Sequence, residues 1–86
     1  MTDTPEAKYG FASQLAGYTD LELVSRFNRE VDNPGWGSAR SYFLICLRAE
    51  LLKRDFDSSA VVTVDSILLR RVVLEDGVLV PITRSE

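Results

Sequence analysis

The chain contains no histidine and only one cysteine among its 86 residues. Because histidine is the most frequent general base and transition-metal ligand, its absence excludes a Ser-His-Asp or Cys-His arrangement within this chain. A single cysteine excludes an intramolecular disulfide and, without histidine, a structural zinc site. The sequence therefore predicts no catalytic residue, no metal site and no cofactor, and we expect a protein that is not an enzyme.

Long apolar runs are also absent. The longest one covers six residues, from Tyr42 to Leu47, whereas a bilayer-spanning helix needs about 20. Residues 1–13 lack the basic start and apolar stretch of a signal peptide, and low cysteine usage is typical of reducing compartments. Within the six-residue run, Cys46 is predicted to be a small buried hydrophobic residue. We expect a soluble, cytoplasmic protein of bacterial or phage type, without a membrane partner.

Positive charge is scarce, with ten Lys and Arg residues against thirteen Asp and Glu residues and a net charge of −3. Nucleic-acid-binding domains normally carry an excess of positive charge, because phosphate neutralisation supplies much of their affinity. A local basic patch is still a candidate, and its members are Arg40, Arg48, Arg54, Arg70 and Arg71. A small nucleic-acid-associated regulator is therefore the alternative function, with nucleic acid disfavoured as a partner.

The sequence divides into an arm and one domain. Residues 1–17 show no helical or strand period and are predicted to form a flexible arm, although Tyr9, Phe11 and Leu15 can dock part of it on the core. The globular domain is predicted over residues 18–83. Its first helix, about 20–32, begins at a capping box formed by Thr19 and Glu22.

Two helices with different patterns are predicted. The first has one narrow apolar stripe, and its opposite, water-facing side includes Arg26 and Glu30. Pro34 and Gly35 end it, because proline cannot continue a helix and Pro-Gly favours a turn. The second helix, about 38–54, is apolar nearly all round, so it is predicted to be the central element, covered on more than one side.

A β-hairpin is predicted at the C-terminal end, with strands at about 70–75 and 78–82. Asp76-Gly77 favours a type I′ turn, which sets Glu75 opposite Val78, Leu74 opposite Leu79 and Val73 opposite Val80. A third short strand is one prediction for residues 60–64, and residues 60–71 as a whole are left open between strand, helical turn and loop. The fold class is α+β, with two antiparallel helices packed on the hairpin.

Surplus apolar surface on the second helix and on both hairpin faces indicates an interface. The favoured hypothesis is a non-enzymatic protein-interaction module that self-associates, with a homodimer as one form and the oligomeric state left open. The candidate contacts are Trp36, Tyr42, Ile45, Val78 and Val80. A third hypothesis is a minor enzyme or an ion-binding protein built on Asp55, Asp57 and Asp65. Their spacing does not match a calcium-binding loop, which favours a role in turns.

Overall fold

Helices precede a hairpin in the computed structural model, which describes residues 9–33, 35 and 37–82. The elements are α1 (Phe11–Ala16), α2 (Asp20–Val31), α3 (Ser38–Lys53), β1 (Val72–Glu75) and β2 (Val78–Pro81). The helices pack against the two-stranded antiparallel sheet. The α+β class predicted from the sequence is therefore confirmed, with each of the two predicted helices ending one residue earlier than expected.

The start of α2 follows from local chemistry. The Thr19 N–H donates to Glu22 Oε1 at 2.8 Å, and the Glu22 N–H donates to Thr19 Oγ1 at 3.1 Å. This reciprocal pair satisfies backbone donors that a helix start otherwise leaves unpaired, so the predicted capping box is confirmed. The water-facing position predicted for Glu30 is wrong, because its side chain is only 2% exposed.

The two longer helices run antiparallel. Side-chain contacts between them join Asp20 to Arg54, Arg26 to Phe43, and Glu30 to Arg40. Residue numbers rise along α2 as they fall along α3, which is the signature of an antiparallel pair. The ends of this pair are therefore held by ion pairs, and its middle by a guanidinium 4.3 Å from an aromatic ring centroid.

Helix α1 lies in the segment whose sequence shows no period. Leu15 is fully buried, and the Phe11 ring meets the Phe43 ring edge-on at 5.1 Å between centroids. Helix α1 packs against α3. Two of the three residues proposed to dock the arm thus contact the core, and they cover part of α3, the helix that the sequence predicts to be covered on more than one side.

The hairpin has the predicted register. Val73 pairs with Val80, Leu74 with Leu79 and Glu75 with Val78. Asp76 and Gly77 both have positive φ, 51° and 77°, as a type I′ turn requires, and glycine adopts this conformation at no steric cost. Helix α2 packs on β1, and the hairpin buries Val72 and Leu79 on its inner face.

The loop between α3 and β1 borders the sheet without adding a strand to it. Residues 60–64 contribute only an isolated antiparallel bridge, between Val62 and Ile67, so the loop alternative is the one observed. Asp57 forms a parallel bridge with Val78: its N–H donates to the Gly77 carbonyl at 2.7 Å, and its carbonyl accepts from the Leu79 N–H at 2.8 Å. This bridge covers the outer edge of β2.

Candidate interaction surface

The first arginine of the predicted basic patch, Arg40, is engaged within the chain. Its Nε donates to Glu30 Oε1 at 2.6 Å, and its Nη atoms donate to the carbonyls of Gly35 at 2.6 Å and Glu30 at 3.0 Å. Arg26 donates to Glu30 Oε2 at 2.8 Å. Burial raises the pKa of Glu30, but the hydrogen bonds and positive charges of Arg40 and Arg26 outweigh it and hold that pKa below its ordinary value. This network fastens the end of α2 to the start of α3.

Arg54 joins three helices at the opposite end of α3. Its guanidinium donates to Glu50 Oε2 at 2.8 Å, to Asp20 Oδ1 at 2.9 Å and to the Leu15 carbonyl at 3.0 Å. Burial lowers the pKa of Arg54, but its hydrogen bonds to Asp20 and Glu50 raise it more, so the net shift is upward. The permanently charged guanidinium thus ties α1, α2 and α3 together.

Arg48 holds the loop that follows α3. It donates to the carbonyl oxygens of Thr63 at 2.6 Å, Val64 at 2.8 Å and Ser66 at 3.2 Å. A guanidinium carries five donors in a planar fork, which suits a turn that presents several carbonyls at once. Arg48 therefore positions residues 63–66 against α3.

The five candidate arginines do not form one surface. Arg40 and Arg54 lie at opposite ends of α3, roughly 21 Å apart along the helix axis. Arg71 pairs with Asp32 at the end of α2, and Arg70 is exposed beside it in the chain. Four of the five guanidiniums thus hydrogen-bond to groups of the same chain, and they act as links between elements.

The carboxylates of the loop between α3 and β1 do not form a binding site, and the one with a hydrogen-bond partner contacts a residue two positions away. Asp57 Oδ1 accepts a hydrogen bond from the Ser59 N–H at 2.8 Å, and hydrogen bonds from the Ser59 side chain and backbone lower the pKa of Asp57. Asp55 and Asp65 are exposed. Within residues 9–33, 35 and 37–82, no group of three His, Cys, Asp or Glu side chains could hold a metal ion.

The candidate interface residues lie on different elements. Tyr42 is half-buried, with its ring 5.9 Å from that of Phe11 and 6.2 Å from that of Tyr9. Ile45 is 64% exposed on α3. Trp36 lies outside the described residues, and Cys46 is buried as predicted. The remaining candidates, in the hairpin, belong to a larger apolar surface.

We call that surface the outer valine face, formed by Val73, Val78 and Val80 on the side of the hairpin opposite the buried Val72. Val73 is 39% exposed and Val78 41% exposed, while Val80 is half-buried. Glu75 is the only charged strand residue on this side. An antiparallel sheet with one covered face usually presents polar residues on the other. This hairpin presents valines instead.

A groove of about 510 Å³ lies between α2 and β1 and is called the α2–β1 groove below. Its walls include Leu21 and Ile82, which are 71% and 50% exposed. Val73 lines it too, so the groove continues into the outer valine face. The polar side chains that line it are those of Ser25, Asn28, Arg29, Asp32 and Arg71.

Sequence reasoning missed the groove and its lining residues. One signal was present, because Leu21 lies off the apolar stripe of α2, on a side that is otherwise polar. An exposed leucine at such a position is weak evidence by itself, since apolar atoms contribute more than half of a typical protein surface. The pairing of Asn28 with a residue 44 positions away had no local signal.

Comparison with known proteins identifies no relative. No protein-family model, no curated protein and no solved structure matches this chain. Among the residues that the structure describes, no helix is both long and apolar enough to cross a membrane. The features that bear on function are therefore the outer valine face and the α2–β1 groove.

Proposed function

We propose that this protein is a non-enzymatic protein-interaction module that self-associates through its outer valine face. The supporting observation is the exposure of Val73 and Val78 on a hairpin whose other face already lies on the core. A two-stranded hairpin is only marginally stable in water and becomes more stable when other parts of a protein pack on its faces. Two copies that bring these faces together remove apolar surface from water on both sides.

The charges that flank the valines suit a second copy as the occupant. Arg71 lies on the same side of the hairpin as Val73 and Glu75, because its carbonyl continues the pairing by accepting from the Ile82 N–H at 2.9 Å. A two-fold axis near Val73 therefore brings Glu75 of each copy towards Arg71 of the other, whose side chain is exposed although it also pairs with Asp32 of its own chain. Such an axis pairs identical patches and makes this charge pattern self-complementary.

The size of the surface predicts a weak dimer. The hairpin has two strands of four residues each. One face of so short a hairpin presents far less surface than the roughly 800 Å² that each partner buries in a standard interface. We therefore expect a dissociation constant on the order of tens of micromolar. Association at that strength is measurable at high protein concentration and reversible on dilution.

The nucleic-acid alternative receives little support from the same geometry. Two arginines of the predicted basic patch, Arg40 and Arg54, have side chains that are only 13% and 14% exposed and that hydrogen-bond within the chain. Phosphate contacts would have to compete with those bonds. Arg70, which is exposed, is one charge and supplies no patch.

Substitution of lysine for Val78 is expected to abolish self-association. The change places a charge within the apolar face at a position that is 41% exposed, so the monomer should keep its fold. In sedimentation equilibrium the wild-type mass should rise with concentration from the chain mass of 9.6 kDa towards twice that value. The V78K variant should stay at the chain mass throughout.

The matched control is Ile45→Lys, which adds the same charge to an exposed position on α3. It should associate like the wild type, since α3 is not part of the proposed contact. A wild-type protein that stays at the chain mass at every concentration contradicts the proposal. Loss of association in I45K with retention in V78K would also contradict it, because the interface would then lie on α3.

A further inference from the structure

The edge of β1 that faces α2 has an open hydrogen-bonding position at Leu74. Because the Arg71 carbonyl faces β2, strand alternation directs the N–H and C=O groups of Val72 and Leu74 towards α2. Asn28 occupies both groups of Val72, donating to its carbonyl at 2.8 Å and accepting from its N–H at 2.9 Å. In the described part of the chain, the outward N–H and C=O of Leu74 have no hydrogen-bond partner.

The two edges of the hairpin thus differ in whether their outward backbone groups are covered. Asp57 covers the outer edge of β2, and Pro81 lacks an N–H that a further strand could use. Proteins usually cover or block an exposed strand edge, because its unpaired backbone groups can accept another strand. At Leu74 the edge opens instead into the α2–β1 groove, beside the apolar side chains of Leu21 and Val24.

One end of the groove carries a net positive charge. Arg71 pairs with Asp32 there, whereas Arg29 is exposed and has no ion-pair partner among the residues described. The contacts of Asp32 with Arg71 and of Asn28 with Val72 show that α2 and β1 run antiparallel. Arg29 therefore lies towards the start of β1.

We infer that the α2–β1 groove binds an extended apolar segment of another protein, which adds to the edge of β1 and places an acidic side chain against Arg29. The groove volume of about 510 Å³ falls within the range typical of ligand sites. Strand addition supplies backbone hydrogen bonds at Leu74, and the adjacent apolar side chains select alternate residues of the segment. An antiparallel arrangement puts its C-terminal end, with the acidic side chain, beside Arg29.

The test is a titration of ¹⁵N-labelled protein with a blocked peptide of alternating valine and threonine that ends in two glutamates. The expected result is saturable shifts of the amide signals of Leu74, Ser25 and Asn28. The same peptide ending in two glutamines should bind about tenfold more weakly, because a hydrogen bond to a charged group is lost. Arg29→Gln should weaken binding of the acidic peptide to the same extent.

Two further variants complete the test. Arg70→Gln removes an exposed arginine that does not line the groove and should leave binding unchanged. Val78→Lys should also bind the peptide, so failure of self-association and failure of this inference are distinguishable. Absence of shifts at Leu74, equal affinity for the two peptides, or full affinity in R29Q would each overturn the inference.

Discussion

Replacing Glu30 with glutamine is expected to lower the free energy of unfolding by about 3 kcal/mol at pH 7, because it breaks a buried charge network. The carboxylate is 2% exposed and accepts from Arg26 at 2.8 Å and from Arg40 at 2.6 Å. Glutamine keeps the size of the side chain but leaves two guanidiniums without their anion. Urea denaturation should show a lower midpoint with an unchanged slope. Since a small domain has only about 5–10 kcal/mol of stability, the effect is large.

The pH dependence gives this prediction a second test. The pKa of Glu30 is held below its ordinary value of 4.5, so its ionised form stabilises the folded state at neutral pH. That contribution is lost as the pH falls through the folded-state pKa, so the difference between the wild type and E30Q should narrow as the pH falls below 4.5 and close once Glu30 is protonated in the folded state. Glu75→Gln, at an exposed position, is the matched control and should change stability by less than about 0.5 kcal/mol. An E30Q variant as stable as the wild type at pH 7 would contradict the role assigned to this network.

Replacing Leu15 with alanine is expected to cost about 2–4 kcal/mol of stability, the range for a large-to-small change at a buried site. Leu15 is fully buried although it lies in the segment that the sequence pattern assigned to a flexible arm. Its loss removes apolar contacts between α1 and the core and leaves a cavity. Thermal unfolding followed by circular dichroism measures the change.

Leu52→Ala is the matched control for Leu15→Ala. Leu52 is 55% exposed on α3, so the same chemical change should lower stability by less than about 1 kcal/mol. If both variants lose the same small amount, α1 does not contribute to the core in solution. If L15A alone loses stability, the docked helix is part of the domain.

Local chemistry made part of this fold predictable. Asp76-Gly77 determines both the turn type and, through it, which residues face each other across the hairpin. The start of α2 was equally predictable, because Thr19 and Glu22 satisfy each other's backbone donors over a span of three residues. In both cases the determining contacts lie within a few positions in the sequence, where spacing alone carries the information.

Long-range contacts account for what the sequence did not reveal. Glu30 looks like a surface residue when only its own helix is considered, and its burial depends on Arg40, ten positions away on α3. Helix α1 has six residues, too few for a clear period, and its packing on α3 decides its structure. For the same reason four arginines predicted as a patch serve as links between elements.

The candidate surface was predictable in part. The turn determines the register of the hairpin, and the register places Val78 and Val80 on the same face as Val73. The apolar character of this face could therefore be predicted from the sequence. Whether α2 and β1 leave a groove between them depends on their spacing in three dimensions. Arg29 and Leu74 therefore had no sequence signal, because neither is unusual in its own element.

The proposed contact between outer valine faces is tested most directly by detecting it across the interface. A concentrated sample that mixes ¹³C-methyl-labelled and unlabelled copies permits an isotope-filtered NOE experiment, which reports only contacts between different molecules. We predict intermolecular contacts from the methyl groups of Val73 and Val78. Intermolecular contacts confined to Ile45 and Leu52, or none at any concentration, would contradict self-association through the hairpin.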